Sequence, residues 1–187
     1  MGGLPSNRHM PTIAPISIAP YLSAMSGAVT GVNIVTTDGP AGRFGLTVSS
    51  MASVSAEPPL LLIAVNRRSP LLAALLENGV FGVSALGVHH AELADTFAGR
   101  PRSGAPYDFA AARWLCSPSG VPLVADAAAQ FDCRVSKITH AGTHAIVIGA
   151  VDRASRGTVA ALAYTRRGYA HPSRRSEAGR RPGRIRD

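Results

Sequence analysis

The sequence predicts a mainly β domain in which an antiparallel sheet closes, or nearly closes, on itself as a small barrel with short helices beside it. The 187 residues are enough for one domain and too few for two comfortable ones. Glycine and proline are plentiful, with 19 and 14 residues, whereas aromatic residues make up only 5% of the chain. That balance is typical of short strands joined by turns, and about six or seven strand-like segments can be found among two or three short helical ones.

Hydrophobic periodicity and turn residues place the elements of the first part of the chain. Residues 1–20 are interrupted by prolines and have no periodicity, so we expect a flexible N-terminal arm there, with order beginning near Tyr21. Residues 60–65 (LLLIAV) lack polar alternation, which predicts a strand covered on both faces. The predicted elements between these segments are a short helix in residues 21–29 and a hairpin of strands 31–37 and 43–50 around the turn Asp38-Gly39-Pro40.

Two amphipathic helices are predicted in the middle of the chain. Ser69 and Pro70 suit the N-cap and the first helical position of the first helix, and Gly79 can end it. The second helix lies within residues 89–99 and stops at Gly99. The predicted inward positions are Leu72, Leu75 and Leu76 in the first helix and His90, Leu93, Ala94 and Phe97 in the second.

The remaining strands are predicted from shorter patterns. In residues 130–138, Phe131, Cys133 and Val135 alternate with polar residues, which indicates a half-buried strand. Residues 100–129 are rich in proline, serine and glycine and give only loop and short pieces. Further strands are predicted at residues 80–86, 144–154 and 161–169.

The net charge of +8 raises nucleic acid or an acidic membrane surface as a partner. Residues 171–187 contain six arginines and two carboxylates, so half of the net charge lies in this short segment. We expect residues 173–187 to form a disordered Arg-rich tail. The charge of the folded domain therefore does not favour nucleic-acid binding.

The two cysteines, Cys116 and Cys133, make neither a disulfide framework nor a metal-binding spacing. No segment approaches the roughly 20 apolar residues of a membrane helix. The prolines near the N-terminus also interrupt any signal-peptide pattern. These features predict a cytoplasmic protein without a membrane partner.

Residues 45–60 (GLTVSSMASVSAEPPL) hold five hydroxyl side chains just before the most apolar strand. In a continuously extended chain Thr47, Ser49, Ser53 and Ser55 share one face, and Ser50 lies on the other. Such residues simply suit an exposed strand and turn. Alternatively, small side chains let a flat ligand approach the backbone while the hydroxyls bond its polar edge, and the position beside a buried strand favours this second interpretation.

The segment Asn66-Arg67-Arg68 precedes the N-terminus of the helix that Ser69 caps. Guanidinium groups and unpaired N–H groups at a helix start favour an anion, although isolated arginines more often form a solvated basic turn. Together with the hydroxyl-rich segment they indicate a phosphate-bearing ligand. We expect both segments to face one shared cavity.

His140 and His144 have the spacing of a metal pair on a helix, but Gly142 and the flanking strand patterns exclude a helix there. We therefore predict no metal site, and place His144 at a pocket mouth. The chain contains no nucleophile elbow, no P-loop and no GxGxxG motif.

Several motifs, taken in order, resemble the flavin reductase family of two-component monooxygenases, whose fold is the FMN-binding split barrel. The resemblance covers residues 21–172. The motifs are MSGAVTGVNIVTT, GLTVSSMASVSAEPPLLLIAVNRRS, FGVSALGVHHAELADTFAG, FDCRVSKI, GTHAIVIGAV and ALAYTRRGY.

This resemblance implies a homodimer of Greek-key split barrels. It also implies that NADH or NADPH reduces free FMN or FAD by hydride transfer, and that the reduced flavin serves a partner monooxygenase. Two alternatives remain: a flavoprotein of the same fold that retains its flavin and acts on another substrate, and a non-enzymatic binding protein that acts through the basic tail.

The resemblance also implies roles for individual residues. His144 should lie near the flavin and the nicotinamide as the catalytic position. Thr143 stands before it where relatives commonly carry an acidic residue, and Val48-Ser49 replaces a common Ala-Asn pair, which leaves the choice between FMN and FAD open. The implied flavin-binding residues are Thr47, Val48, Ser49 and Ser50 along the isoalloxazine edge, Ser53, Val54 and Ser55 near the ribityl chain and phosphate, and Asn66, Arg67 and Ser69 at the phosphate.

Overall fold

The computed structural model describes residues 16–173. Most of the predicted arm and all but residue 173 of the predicted tail lie outside the described residues. Helix α1 spans Ile18–Ser26 and so begins three residues before Tyr21. Pro20 is compatible with this start, because a proline in the first helical turn removes no hydrogen bond that the helix needs.

The described chain is mainly β, as predicted, and three α-helices accompany its strands. The helices are α1, α2 (Pro70–Asn78) and α3 (Ala91–Phe97), and 3₁₀ turns cover Val88–His90 and Phe109–Ala111. The strands are β1 (Thr30–Gly31), β2 (Asn33–Thr37), β3 (Phe44–Val48), β4 (Ala52–Ala56), β5 (Pro59–Asn66), β6 (Val80–Ala85), β7 (Trp114–Cys116), β8 (Pro122–Val124), β9 (Ala129–Ala141), β10 (His144–Arg156), β11 (Ala163–Thr165) and β12 (Gly168–Ala170). No helix among the described residues is both long and apolar enough to cross a membrane.

One seven-stranded antiparallel sheet forms the body of the fold, in the order β3-β2-β6-β9-β10-β5-β4. Its two edge strands, β3 and β4, are consecutive in the chain and are joined by only three residues, 49–51. The sheet must therefore curl until its edges meet. Within this connection the Ser50 hydroxyl bonds both the N–H and the C=O of Ala64 in β5, the strand beside the edge strand β4. A curved antiparallel sheet of this order agrees with the predicted fold class.

Two hydrophobic clusters occupy the inside and the outside of this curved sheet. The inner cluster includes Ile63, Phe81 and Val147, and α2 contributes Leu75 to it. The outer cluster packs α3 through Phe97 against β2 and the segments around β8 and β11. The large loop region that the sequence left unresolved therefore covers the outer face.

Helix α2 begins at Pro70 as predicted, and Gly79 ends it with a φ of 70°. Its inward face is rotated from the prediction, because Leu71 is buried whereas Leu76 is 42% exposed. A helix turns by about 100° per residue, which carries Leu76 outside the arc centred on Leu71 and Leu75.

Two strand predictions need correction. In β5, Leu61, Ile63 and Val65 are buried but the alternate residues are only half-buried, so the strand is covered on one face rather than both. Residues 161–169 form the β11–β12 hairpin instead of a single strand. The apolar content of a segment does not reveal whether one or both faces of a strand are covered, or whether the strand is interrupted by a turn. Both features depend on the segments that pack beside the strand.

Candidate functional site

The hydroxyl-rich segment does not present one continuous face. Strand β3 ends at Val48, Ser49 lies in a bend, and the chain turns before β4 begins. The pairing of β4 with β5 then shifts register between Ser53 and Ser55. The expectation that alternate hydroxyls share a face is therefore wrong, because it required an unbroken extended chain.

Three of these hydroxyls stabilise the fold. Thr47 Oγ1 donates to the carbonyl of Ala94 in α3 at 2.7 Å. Ser50 Oγ donates to the Ala64 carbonyl at 2.9 Å and accepts from its N–H at 3.0 Å. Ser55 Oγ accepts a backbone N–H at 3.2 Å. Of the five hydroxyls in this segment, only those of Ser49 and Ser53 are exposed and make no hydrogen bond within residues 16–173.

Ser49 lies in a cavity of about 180 Å³, which we call the Ser49 cavity. Two aromatic rings form part of its wall, with the centroids of Tyr164 and Tyr169 5.6 Å apart. The sequence did not single out Tyr164, Tyr169 or Arg100, although two tyrosines and two arginines within residues 164–169 were a visible signal. The cavity is lined by Val32, Thr47, Val48, Ser49, Ala98, Arg100, Tyr164 and Tyr169.

Ser69 lies in a different cavity of about 400 Å³, the Ser69 cavity. Ser69 occupies the N-cap position of α2, but its side chain makes no capping hydrogen bond. The cavity is mostly apolar, and Arg43 lies over the Phe109 ring at 5.6 Å from its centroid. Its lining is Arg43, Phe44, Gly45, Leu46, Ser69, Pro70, Leu71, Tyr107 and Phe109.

The expected single cavity is thus two neighbouring cavities along β3 that share no lining residue. The Ser69 cavity is bordered by residues 44–46 of β3. The Ser49 cavity is bordered by the last two residues of β3, Thr47 and Val48, and by Ser49 after the strand. Within one chain the two predicted segments therefore line separate cavities, and the prediction of one shared cavity is not confirmed.

Asn66, Arg67 and His144 meet at one end of β5. His144 is the register partner of Asn66, and the Arg67 N–H donates to the Thr143 carbonyl at 3.0 Å. Asn66 Oδ1 accepts the N–H of Arg68 at 2.9 Å, so this side chain shapes the turn. The Arg67 side chain is exposed.

Ser53, Val54 and Ser55 lie on the edge strand β4, outside the linings of both cavities. Val54 is 44% exposed. The structure therefore does not bring these three residues to the Ser49 or Ser69 cavity within one chain.

His144 opens β10 immediately after the tight turn at Gly142, whose φ is 57°. Thr143 Oγ1 lies 2.9 Å from His144 Nδ1. A hydroxyl thus contacts the imidazole where the resemblance led us to expect a carboxylate. This contact occupies Nδ1 and not Nε2.

A second group of titratable residues, His89, His90 and Asp126, brings its ligand-type atoms within 4.8 Å of one another. The Gly87 N–H donates to His90 Nδ1 at 3.1 Å, so the proton of the neutral ring lies on Nε2 and faces Asp126. Burial and the neighbouring His89 lower the pKa of His90, and the hydrogen bond from His89 lowers the pKa of Asp126. The two histidines bond the Asp126 carboxylate through their Nε2 atoms. A metal ion on His90 Nε2 would require the tautomer with its proton on Nδ1.

One buried polar side chain contacts Val48, a residue that lines the Ser49 cavity. Asn33 is only 2% exposed and donates from Nδ2 to the Val48 carbonyl at 3.4 Å. Its Oδ1 has no hydrogen-bond partner in the part of the chain that the structure describes. Buried acceptors are normally paired, so a ligand with both N–H and carbonyl groups on a planar ring suits this polar edge.

Comparison with known proteins identifies the family of the chain. Residues 25–173 match the family model described as "Flavin reductase like domain". The "FMN reductase (NADH) RutF" of Variovorax paradoxus is 43% identical over 169 residues, covering 88% of this chain and 92% of that protein.

Two solved structures share the fold over nearly their whole length. BorF, the flavin reductase component of a bacterial two-component tryptophan halogenase, is 33% identical with a TM-score of 0.74, covering 83% of this chain and 98% of its own. Nitrilotriacetate monooxygenase component B from Mycobacterium thermoresistibile is 27% identical with a TM-score of 0.76, covering 90% and 92%.

Proposed function

Because the chain belongs to the flavin reductase family, we propose that it is an NADH-dependent reductase of free FMN. The observation that carries the proposal is that the family match spans residues 25–173, the range that contains every residue of the candidate site. The Variovorax paradoxus relative, which is 43% identical over 169 residues, is named as an FMN reductase that uses NADH. FAD is the alternative flavin, since it carries the same ring system.

In this proposal the Ser49 cavity receives the flavin ring. Ser49 and the backbone of Thr47 and Val48 bond its polar edge, and Asn33 fixes the Val48 carbonyl. The exposed Arg67 side chain and the start of α2 at Ser69 hold the phosphate, where a helix N-terminus adds a favourable field. The ribityl and phosphate part of the flavin meets Ser53, Val54 and Ser55 only in a dimer, in which the β4 strand of a second copy of the chain lies beside the site.

Reduced nicotinamide supplies a hydride that the flavin accepts, and a proton from solvent completes the reduction. The chain contributes binding and orientation, since holding two rings in contact at about 3 to 3.5 Å supplies much of the rate. His144, oriented by Thr143, donates a hydrogen bond from Nε2 to the flavin or nicotinamide edge. No side chain of the site is required as an obligatory proton donor.

Reduced FMN then leaves for a partner enzyme, which we propose is a flavin-dependent monooxygenase. The single chain encloses little volume in the Ser49 cavity, about 180 Å³, which favours weak flavin retention. A reductase that delivers its product benefits from such weak binding. The two free thiols, Cys116 and Cys133, support a cytoplasmic location.

The active form in this proposal is a homodimer. Helix α1 buries none of its residues in its own chain, and Ile18 is 73%, Leu22 49% and Met25 50% exposed. Exposed apolar area of this kind marks an interaction surface.

Steady-state oxidation of NADH and of NADPH, each with FMN and with FAD supplied separately, tests the function. We expect NADH with FMN to give the highest kcat/KM and the purified protein to be nearly colourless. A protein that remains yellow and turns over NADH slowly with added flavin would instead be a flavoprotein acting on another substrate.

A further inference from the structure

We propose that a positively charged cleft next to the Ser49 cavity binds the diphosphate of the dinucleotide electron donor. The inference rests on the proposed reductase function and names the part of the donor that the chain recognises. The cleft has a volume of about 440 Å³, and we call it the arginine cleft. Its main lining residues are Asp95, Arg100, Arg102, Tyr164, Arg167 and Tyr169.

The arginine cleft is continuous with the proposed ring site. Arg100, Tyr164 and Tyr169 line both it and the Ser49 cavity. A ligand whose nicotinamide ring lies in contact with a flavin at Ser49 therefore extends past the two tyrosines into the arginine cleft. Such an arrangement suits a dinucleotide, because its two nucleosides are joined by a diphosphate.

The guanidinium groups of the cleft are available to an anion. The side chains of Arg100 and Arg102 are 66% and 69% exposed. They approach the carboxylates of Asp95 and Glu92 only at 3.8 to 4.0 Å, whereas strong charge-assisted hydrogen bonds measure about 2.7 to 2.9 Å.

Asp95 has a different close partner. The Tyr169 hydroxyl donates to Asp95 Oδ1 at 2.6 Å, so this carboxylate orients the aromatic wall of the cleft. The arginine donors consequently keep the capacity for bidentate phosphate binding.

The turn that carries Arg167 has an unusual sequence. Arg166 and Arg167 form the two-residue connection between β11 and β12, with φ values of 48° and 62°. A hairpin turn with two left-handed residues strongly prefers Asn-Gly, because a larger side chain is disfavoured in that backbone region. A residue held in a disfavoured backbone region is a reason to look for a function of its side chain, and Arg167 lines the cleft.

The flavin phosphate has its own proposed site elsewhere. Asn66, Arg67 and Ser69 lie at the end of β5 and the start of α2, and the Ser69 cavity shares no lining residue with the arginine cleft. Two separate anion sites suit an enzyme with two phosphorylated ligands. The diphosphate of FAD carries the same chemistry, so the experiment must distinguish it from that of NADH.

The test compares Arg167→Asn with Arg166→Asn. Both variants remove one positive charge from the same turn and place asparagine at a left-handed position, but only Arg167 lines the cleft. We expect Arg167→Asn to raise the KM for NADH about tenfold, the loss of one strong contact, with the KM for FMN unchanged. Arg166→Asn should change neither constant more than about twofold.

Two further measurements separate the possible outcomes. Reduced nicotinamide mononucleotide lacks the diphosphate, so its KM should be the same for Arg167→Asn and the wild-type protein. Calorimetric titration with ADP-ribose requires no turnover and should show weaker binding by Arg167→Asn only. If the wild-type protein reduces no flavin but this ADP-ribose difference is found, the reductase function fails and the arginine cleft stands.

The inference is overturned by any of three results. The wild-type protein fails to bind ADP-ribose, Arg167→Asn oxidises NADH with normal constants, or Arg167→Asn raises the KM for FAD while leaving that for NADH unchanged. The last result assigns the cleft to the adenylate half of FAD.

Discussion

Replacing Ser50 by alanine distinguishes the hydroxyl that bonds the backbone of β5 from those proposed to bind flavin. Ser50 Oγ makes two hydrogen bonds to the backbone of Ala64, at 2.9 and 3.0 Å. At about 0.5 to 1.5 kcal/mol for each net hydrogen bond, their loss destabilises the fold by about 1 to 3 kcal/mol. For a domain of this size that lowers Tm by about 2 to 10 °C, measured by differential scanning fluorimetry or calorimetry.

Ser49→Ala and Ser53→Ala are the matched comparisons, because both hydroxyls are exposed and make no hydrogen bond within residues 16–173. Their Tm should stay within about 2 °C of the wild-type value. The KM for FMN should rise several-fold for Ser49→Ala. A Ser50→Ala protein with unchanged Tm would refute the stabilising role of the two Ser50 hydrogen bonds, and an unchanged KM in both comparison variants would refute the flavin placement.

Three further predictions concern the core, the pH dependence of stability and assembly. Gly149→Ala should destabilise the protein by about 1 to 3 kcal/mol in urea unfolding, because the added Cβ meets the buried Phe81 ring. Burial and the neighbouring His89 lower the pKa of His90 below its ordinary value of 6.5, so folding favours the neutral ring. The contribution of His90 to stability is therefore present above about pH 6.5 and is lost as pH falls through the folded-state pKa. In His90→Gln, Tm should fall less steeply with acidification. Leu22→Glu should convert the proposed homodimer into a monomer in light scattering, because it places a charge on the apolar face of α1.

Two of these predictions have a matched control variant. Gly27→Ala adds a Cβ that only touches a carbonyl at 3.4 Å and should be nearly neutral. Leu115→Glu changes a residue that is 43% exposed on β7 and should leave the oligomeric state unchanged. A wild-type monomer, or a pH profile that His90→Gln leaves unaltered, would contradict the corresponding argument.

Local features of the sequence were sufficient for most of the fold. The β2–β3 hairpin follows from its turn residues, and α2 follows from Pro70 and Gly79. The inward face of α3 is also confirmed, with His90, Leu93, Ala94 and Phe97 all buried. These patterns depend on residues that are near one another in the chain.

Features that depend on distant segments could not be predicted in the same way. Asp132 alternates with inward residues in β9 and was expected to face solvent, yet it is 3% exposed and accepts hydrogen bonds from Ser119. The loop that carries Ser119 covers that face of the sheet. Likewise Arg100 and Tyr164 meet beside Ser49 only because α3 and β11 pack next to β3.

The arrangement of the sheet also has a consequence for the order in which the protein folds. β2 with β3, and β4 with β5, are hairpins of neighbouring segments, whereas between them in the sheet stand β6, β9 and β10, which come later in the chain. Residues 49–51 tether the two hairpins from the start of synthesis, whereas the sheet between them is complete only when those three later strands are present. A chain without β6, β9 and β10 therefore holds both halves of the proposed flavin site but lacks the strands that set the distance between them.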